Sequence, residues 1–353
     1  ILGRAAFGPI VFGCQAPDTG NAEILAHYGT PAQKERFLKP LLNGEIVSCF
    51  SMTEPQGGAD PLIFTTTATR DGDEWVINGE KWFSSNARFA EFFIVMAVSN
   101  PEAPPYQQQS MIIVPADTPG IEIIRNVGFG AESIPTHAYI RYRNVRVPAD
   151  HLLGGEGQAF VVAQTRLGGG RIHHAMRTIG HAKALFDMTC QRVISRETKG
   201  KNLSQLQIVQ EKIADSWIEL EQFRLLVLRT AWLIDKHHDY KFVRKDIAAV
   251  KAAMPKVLHD IAARALHLHG SIGVSNEMPF AKGVIDSFFL GLADGPTEVH
   301  KVTVAREVLG SYEPATELFP EYHLLRRKAA AQAKYGSALK ELYGDALEDL
   351  QTA

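Results

Sequence analysis

The chain has 353 residues, 45% hydrophobic and 22% charged, the proportions of a soluble protein of two or three domains with a sizeable core. A net charge of −2 and a pI near 6.7 give no reason to expect nucleic acid or another polyanion as a partner. Cys14, Cys49 and Cys190 are far apart with no CxxC, which points to a reducing compartment without disulfides or a metal site, and no apolar run nears the roughly 20 residues of a membrane span.

Residues 1–46 read as helical. Asn21–Tyr28 is a helix closed by Gly29, and Thr30-Pro31-Ala32-Gln33 opens another, with Thr30 as N-cap, Pro31 in the first turn and Gln33 completing a capping box. The chain begins at Ile1 without Met and already reads as domain interior, so the lack of a targeting peptide carries no weight.

Residues 47–155 change to strand-like patterning. Thr65–Arg70 leads to a turn at Asp71-Gly72-Asp73, and Trp75-Val76-Ile77 to a second hairpin signal at Asn78-Gly79. Further strands are expected at Phe92–Val98, Ser110–Val114, Ile121–Ile124 and His137–Val147, forming a small antiparallel sheet or barrel. From 156 the period is helical, with helices expected at 158–197, 204–237, 243–270 and 296–310, a bundle pattern. The last of these carries an apolar stripe at Val299, Val302 and Val304–Ala305. The tail, 311–353, holds one more helix at about 322–343 and the short basic run Arg326-Arg327-Lys328, read as a solvated face. Helices, then strands, then long helices make the fold class α+β.

Three stretches could carry chemistry. In 49–60 a strand runs into the Pro/Gly loop Met52-Thr53-Glu54-Pro55-Gln56-Gly57-Gly58, which leaves backbone N–H groups and the Thr53 hydroxyl free to face a ligand; a plain strand-end turn explains it equally. In Lys81–Asn86 two aromatics lie beside two hydroxyls and could flank a planar ring, or simply close a core-edge strand. At 292–301 Asp294 sits on a Gly-Pro corner at a helix start, either aimed into a cleft or serving only as helix entry. The histidines do not suggest a metal: His267 and His269 are two apart on a helix and share no face, and His237-His238 reads as an exposed helix end.

Together these motifs resemble the acyl-CoA dehydrogenases from about residue 9 to residue 310. Met-Thr-Glu-Pro-x-x-Gly (52–58), Ile-Asn-Gly-x-Lys-Trp (77–82), Arg-Val-Pro (146–148), Gly-Glu-Gly (155–157), Arg-x-Thr-x-Gly-Lys (196–201) and the carboxylate–Gly turn at 294–295 occur in the family's order and spacing. The subgroup of family members ten and eleven is most similar, through residues 14–21, Gly170-Arg171-Ile172-His173-His174 and Ala293-Asp294-Gly295-Pro296. The resemblance implies a partial N-terminal helical domain (1–46), a β-domain (47–155), a C-terminal four-helix bundle (156–310) and a helical tail (311–353). About the first 60 to 100 residues of a full family member are absent, by the usual domain size.

The resemblance further implies FAD, held by Phe50, Met52 and Thr53, by Phe83-Ser84-Ser85, by Arg196, Thr198, Gln207, His267 and Gly270, and by Pro296, Thr297 and Glu298. Ala59, Arg171, His173 and Gly295 fall at substrate-side positions. Asp294 stands where many members carry a catalytic glutamate and, being one methylene shorter, must sit closer to its proton; Gly168-Gly169-Gly170-Arg171, where some members carry an alternative base, has no carboxylate. Ala59 replaces a serine, Phe83 a tryptophan, His267 a glutamine, and Lys199 a frequent phenylalanine. The implied reaction takes an acyl-CoA to its trans-2-enoyl-CoA in fatty-acid β-oxidation, with burial raising the Asp294 pKa and electrons passing to an electron-transfer flavoprotein. A homodimer or homotetramer is implied, in a bacterial cytoplasm or a mitochondrial matrix. An acyl-CoA oxidase, or a flavin-containing binding protein of the same fold, are the alternatives. Arg171 with one of His173 and His174 either recognises a polar or anionic group on the acyl chain, such as a hydroxyl or its phosphate ester, or serves packing and CoA binding.

Overall fold

The computed structural model describes residues 1–5, 7–130, 132, 134–315 and 318–344. The chain divides into a unit spanning Ile1–Ala305 and a short C-terminal unit beyond it.

The N-terminal segment is helical: a 3₁₀ turn at Leu2–Arg4, then α1 (Gly8–Val11), α2 (Asp18–Tyr28), α3 (Pro31–Gln33), a π-helical turn at Lys34–Leu38 and α4 (Lys39–Leu42). The capping box forms as expected. The Gln33 N–H donates to Thr30 Oγ1 at 3.2 Å and the Thr30 N–H donates to Gln33 Oε1 at 3.1 Å. Gly29 does cap α2, but in an extended conformation. Its small size matters instead, because a Cβ there would lie 2.4 Å from Leu25 O.

The sheet has eight strands: β1 (Ser48–Ser51), β2 (Thr67–Asp71), β3 (Glu74–Ser85), β4 (Phe92–Val98), β5 (Gln109–Pro115), β6 (Ile121–Val127), β7 (His137–Pro148) and β8 (Leu152–Leu153). Its order is β6-β7-β3-β2-β4-β5-β8, with β1 also on β4. Pairing is largely antiparallel, but β1 and β2 each run parallel to β4. Asn78-Gly79 is not a hairpin turn. It lies inside β3, where the register with β7 slips between Ile77 and Gly79, so the turn-forming dipeptide makes a bulge. β4 explains its unbroken apolar sequence. Phe93, Val95 and Ala97 enter one core with Trp75, Ile112 and Tyr142, while Phe92, Ile94 and Met96 enter another with Ile24, Phe37 and Val162. Both faces are covered, so no polar alternation survives.

The helical part begins with α5 (Ala159–Ser195), followed by a two-stranded hairpin of β9 (Glu197–Thr198) and β10 (Lys201–Asn202), then α6 (Gln207–His237) and α7 (Arg244–His269). The helix completing the bundle is one that the sequence reading passes over. After a short α8 (Ser271–Val274), α9 (Phe280–Leu292) packs on α7 and touches α5. Phe280, Ala262, Leu185 and Leu220 share its core. The segment Phe280–Leu292 contains Gly283 and Gly291, poor helix formers that weaken its local helix signal.

α10 (Thr297–Leu309) has no buried valine stripe: Val299 and Val302 are exposed, and its buried residue is His300. In the C-terminal unit, α11 (Leu324–Tyr343) carries Arg326, Arg327 and Lys328 exposed. Among the described residues no helix is long and apolar enough to cross a membrane, and no group of three His, Cys, Asp or Glu is arranged for a metal ion.

Candidate active site

α9 ends at Leu292, and the chain must reverse into α10 within a few residues. It does so through two left-handed residues, Asp294 (φ 57°) and Gly295 (φ 100°). The first is uncommon for a residue with a side chain and marks stored strain. Three donors from three helices hold the turn by its backbone. Arg171 Nε on α5 donates to Asp294 O at 3.1 Å, and His300 Nε2 on α10 lies 3.1 Å from the same oxygen. Lys251 on α7 donates to Leu290 O at 2.5 Å and to Gly295 O at 3.3 Å. Burial holds Lys251 down to about 8 and His300 down to about 4. The Asp294 N–H has no acceptor among the described residues.

The Asp294 side chain faces one stripe of α5. A Cβ at Gly170 would lie 3.4 Å from Asp294 Oδ2. Four residues on, His174 Nε2 is 3.3 Å from the same oxygen, the spacing that brings helix positions to one face. His173 points elsewhere: its side chain is exposed, and its carbonyl accepts from Arg177 Nε at 3.3 Å. The glycine run Gly168–Gly170 is helical. It lies within α5, where a Cβ at Gly168 would meet the Tyr240 ring at 2.8 Å and one at Gly169 would meet Glu23 Oε2 at 2.7 Å. The raised Asp294 carboxyl expected from sequence is not found: burial alone pushes it upward, but other groups reverse the direction. His174 and the charges of Arg166 and Arg171 outweigh burial and hold the group well below the usual carboxylate range.

The strand-end loop and β3 meet through a buried ion pair. Lys81 Nζ donates to Glu54 Oε1 at 2.8 Å and to Met52 O at 2.7 Å, with both side chains sealed from solvent. The Thr65 and Thr66 N–H groups also donate to Glu54. Burial pushes Glu54 up, but Lys81 and these donors bring it down to about 2; burial holds Lys81 down to about 8. The Trp82 N–H donates to Thr53 O at 3.0 Å, so 52–54 lies alongside 81–83.

Phe83 sits at a bulge with φ 63°, its ring parallel to Trp82 at 4.8 Å and 41% exposed. Ser84 turns inward and bonds Ser51 at 2.9 Å, whereas Ser85 Oγ meets His137 Nδ1 at 2.8 Å. Phe50 and Met52 are half-buried, and the Phe50 ring lies 3.9 Å under the buried Arg166 guanidinium. Ala59, Arg196, Thr198, Gln207, His267, Gly270 and Glu298 are exposed, and Pro296 and Thr297 half-buried. Arg196 and Thr198 flank the start of the β9–β10 hairpin, which turns through Lys199 and Gly200 at positive φ. His267 and Gly270 end α7. Sequence reasoning missed Glu54–Lys81, Lys251, His300 and Arg177. Of these, Glu54 and Lys81 stand in motifs that give no sign of their pairing, and Arg177 left a signal, three residues after His174 on one helix.

Comparison with known proteins agrees with this architecture. The family model for the acyl-CoA dehydrogenase middle domain matches residues 49–145, and that for the C-terminal domain matches residues 157–309. FadE2 of Mycobacterium tuberculosis, named a probable acyl-CoA dehydrogenase, is 45% identical over 305 residues, 85% of this chain and 75% of that protein. Acyl-CoA dehydrogenase family member 11 of Gallus gallus is 44% identical over 86% of this chain, which spans only 40% of that longer relative. A solved Mycobacterium abscessus structure, provisionally named an acyl-CoA dehydrogenase, superposes with a TM-score of 0.85 at 41% identity, covering 88% of this chain and 78% of its own. The chain belongs to the acyl-CoA dehydrogenase family and has its α+β fold.

Proposed function

We propose that the chain dehydrogenates an acyl-CoA thioester between Cα and Cβ, with Asp294 as the base that removes the α-proton and FAD as the bound cofactor. The observation that carries this reading is Asp294 itself, an ionised carboxylate on a strained turn, its backbone held by Arg171, Lys251 and His300. Its unpaired N–H supplies a donor for the thioester oxygen, where charge gathers as the proton leaves.

The residues present fit a flavin. Phe83, partly exposed and stacked on Trp82 and Phe129, lies beside the Thr53 segment and Ser85, and two buried donors, Trp82 Nε1 and Arg192 Nε, have no protein acceptor among the described residues. Phe50, Met52, Thr53, Phe83 and Ser85 would hold the ring system; Arg196, Thr198, Gln207, His267 and Gly270 the phosphate and adenine end; and Pro296–Glu298 a further edge. Bound FAD supplies the acceptor for the β-hydride. The inward bonds of Ser84 support a scaffold role for it, and the Arg171 bond to Asp294 O supports a structural role rather than recognition of a polar acyl substituent.

We infer an electron-transfer flavoprotein as acceptor, and assembly as a homodimer or homotetramer through exposed apolar residues of α6 such as Trp217, Leu225 and Trp232. The test is anaerobic mixing of the yellow protein with a panel of acyl-CoA thioesters. Asp294→Asn should keep the colour and lose about 10²–10⁴ in the rate of bleaching; bleaching at the wild-type rate would move the base elsewhere. Fast turnover with dioxygen alone would make the protein an oxidase, and no bleaching by any thioester would leave a flavin-binding protein.

A further inference from the structure

Arg177 stands one turn beyond His174 on α5, and its Nη2 lies 3.0 Å from His174 Nδ1. A guanidinium has donors only. Nδ1 must therefore accept, and the ring's proton must sit on Nε2, the nitrogen 3.3 Å from Asp294 Oδ2. Arg177 is fixed in turn by its Nε bond to His173 O. We propose that His174, locked as an Nε2–H donor by Arg177, is the positioning residue of this site: it pins one carboxylate oxygen of Asp294 and leaves the other oxygen to take the proton.

The proposal rests on the reading of Asp294 as base. Other titratable groups face that carboxylate: Arg166 and Arg171 from α5, Lys251 from α7 and His300 from α10. Their bonds go elsewhere. Arg166 Nε donates to Asn21 Oδ1 at 3.0 Å, and Arg171, His300 and Lys251 bind backbone carbonyls. Among the described residues, His174 is the one cationic or imidazole side chain within 4.0 Å of an Asp294 carboxylate oxygen. Because Nδ1 faces the Arg177 guanidinium, Nε2 is the ring nitrogen that donates toward Asp294.

Two measurements test this on the flavin-loaded protein. The first needs no substrate. The imidazole ¹⁵N signals of His174, assigned by their loss in His174→Gln, should show a proton on Nε2 and none on Nδ1, and Arg177→Met should abolish that preference. The ¹³C carboxyl titration of Asp294, assigned by its loss in Asp294→Asn, should move up by about one pH unit or more in His174→Leu. The second is the pH profile of flavin bleaching by an acyl-CoA. Its acid limb should move up by the same amount in His174→Leu and return in His174→Gln, whose amide both accepts and donates. A proton on Nδ1 in the wild type, or an Asp294 titration and acid limb unmoved in His174→Leu, would overturn the proposal. If no acyl-CoA bleaches the wild-type flavin, the functional reading fails while the two spectra still judge the hydrogen-bond assignment.

Discussion

The two sides of the candidate site use buried charge in opposite ways. On the strand side, Glu54 and Lys81 satisfy each other, and every further bond they make is to neighbouring backbone or side chains of the same loop. On the helix side, Arg171, Lys251 and His300 bind carbonyl oxygens, and the lone carboxylate among them keeps one oxygen without a partner among the described residues. A closed pair fixes shape. A carboxylate whose frame is gripped while its tip is left open is available for chemistry.

The comparison can be broken first on the strand side. Lys81→Met leaves Glu54 buried without its cation and should cost about 3–5 kcal/mol in unfolding free energy, read by urea titration. Acid is the next lever. Glu54 is held at about 2, below its ordinary 4.5, so the stability it adds is fully present above pH 4.5 and is lost as the pH falls toward 2. Unfolding midpoints measured from about pH 6 down to about pH 3 should fall, and Glu54→Gln should flatten that dependence. On the helix side, Gly295→Ala forces a Cβ onto φ 100° and to within 3.0 Å of His300 Nε2. It should cost about 1–3 kcal/mol and slow flavin bleaching while leaving FAD affinity unchanged. Thr30→Ala removes the capping box far from both sides. It should cost about 1 kcal/mol with no effect on bleaching, which makes it the control.

Much of this was legible in the sequence, for reasons that differ by element. The capping box, the long helices α5, α6 and α7 and the Asp294 corner announce themselves through local pattern. α9 does not, because Gly283 and Gly291 weaken its helix signal and its polar stripe is short, the paired Lys282 and Asp286. Asn78-Gly79 misleads because the residues that favour a tight turn also suit a bulge. Glu54 and Lys81 are visible in their motifs, but a bond across 27 residues leaves no trace in spacing. His174 was within reach: three residues after Arg171 and four after Gly170, it had to share their face, whereas His173 did not. The αL strain at Asp294 is invisible in sequence, since nothing in Asp-Gly-Pro states which residue bears it.

α5 has one more consequence. Its 37 residues form a rod about 55 Å long. Near one end, Arg166 is tied to Asn21 of α2, and Thr165 meets the Tyr28 hydroxyl at 2.8 Å. One and two turns further on the same rod stand Gly170 and His174, against the carboxylate. A stiff lever transmits displacement along its length, so whatever seats the N-terminal helices also sets where Gly170 and His174 stand against the Asp294 carboxylate, through a mechanical linkage.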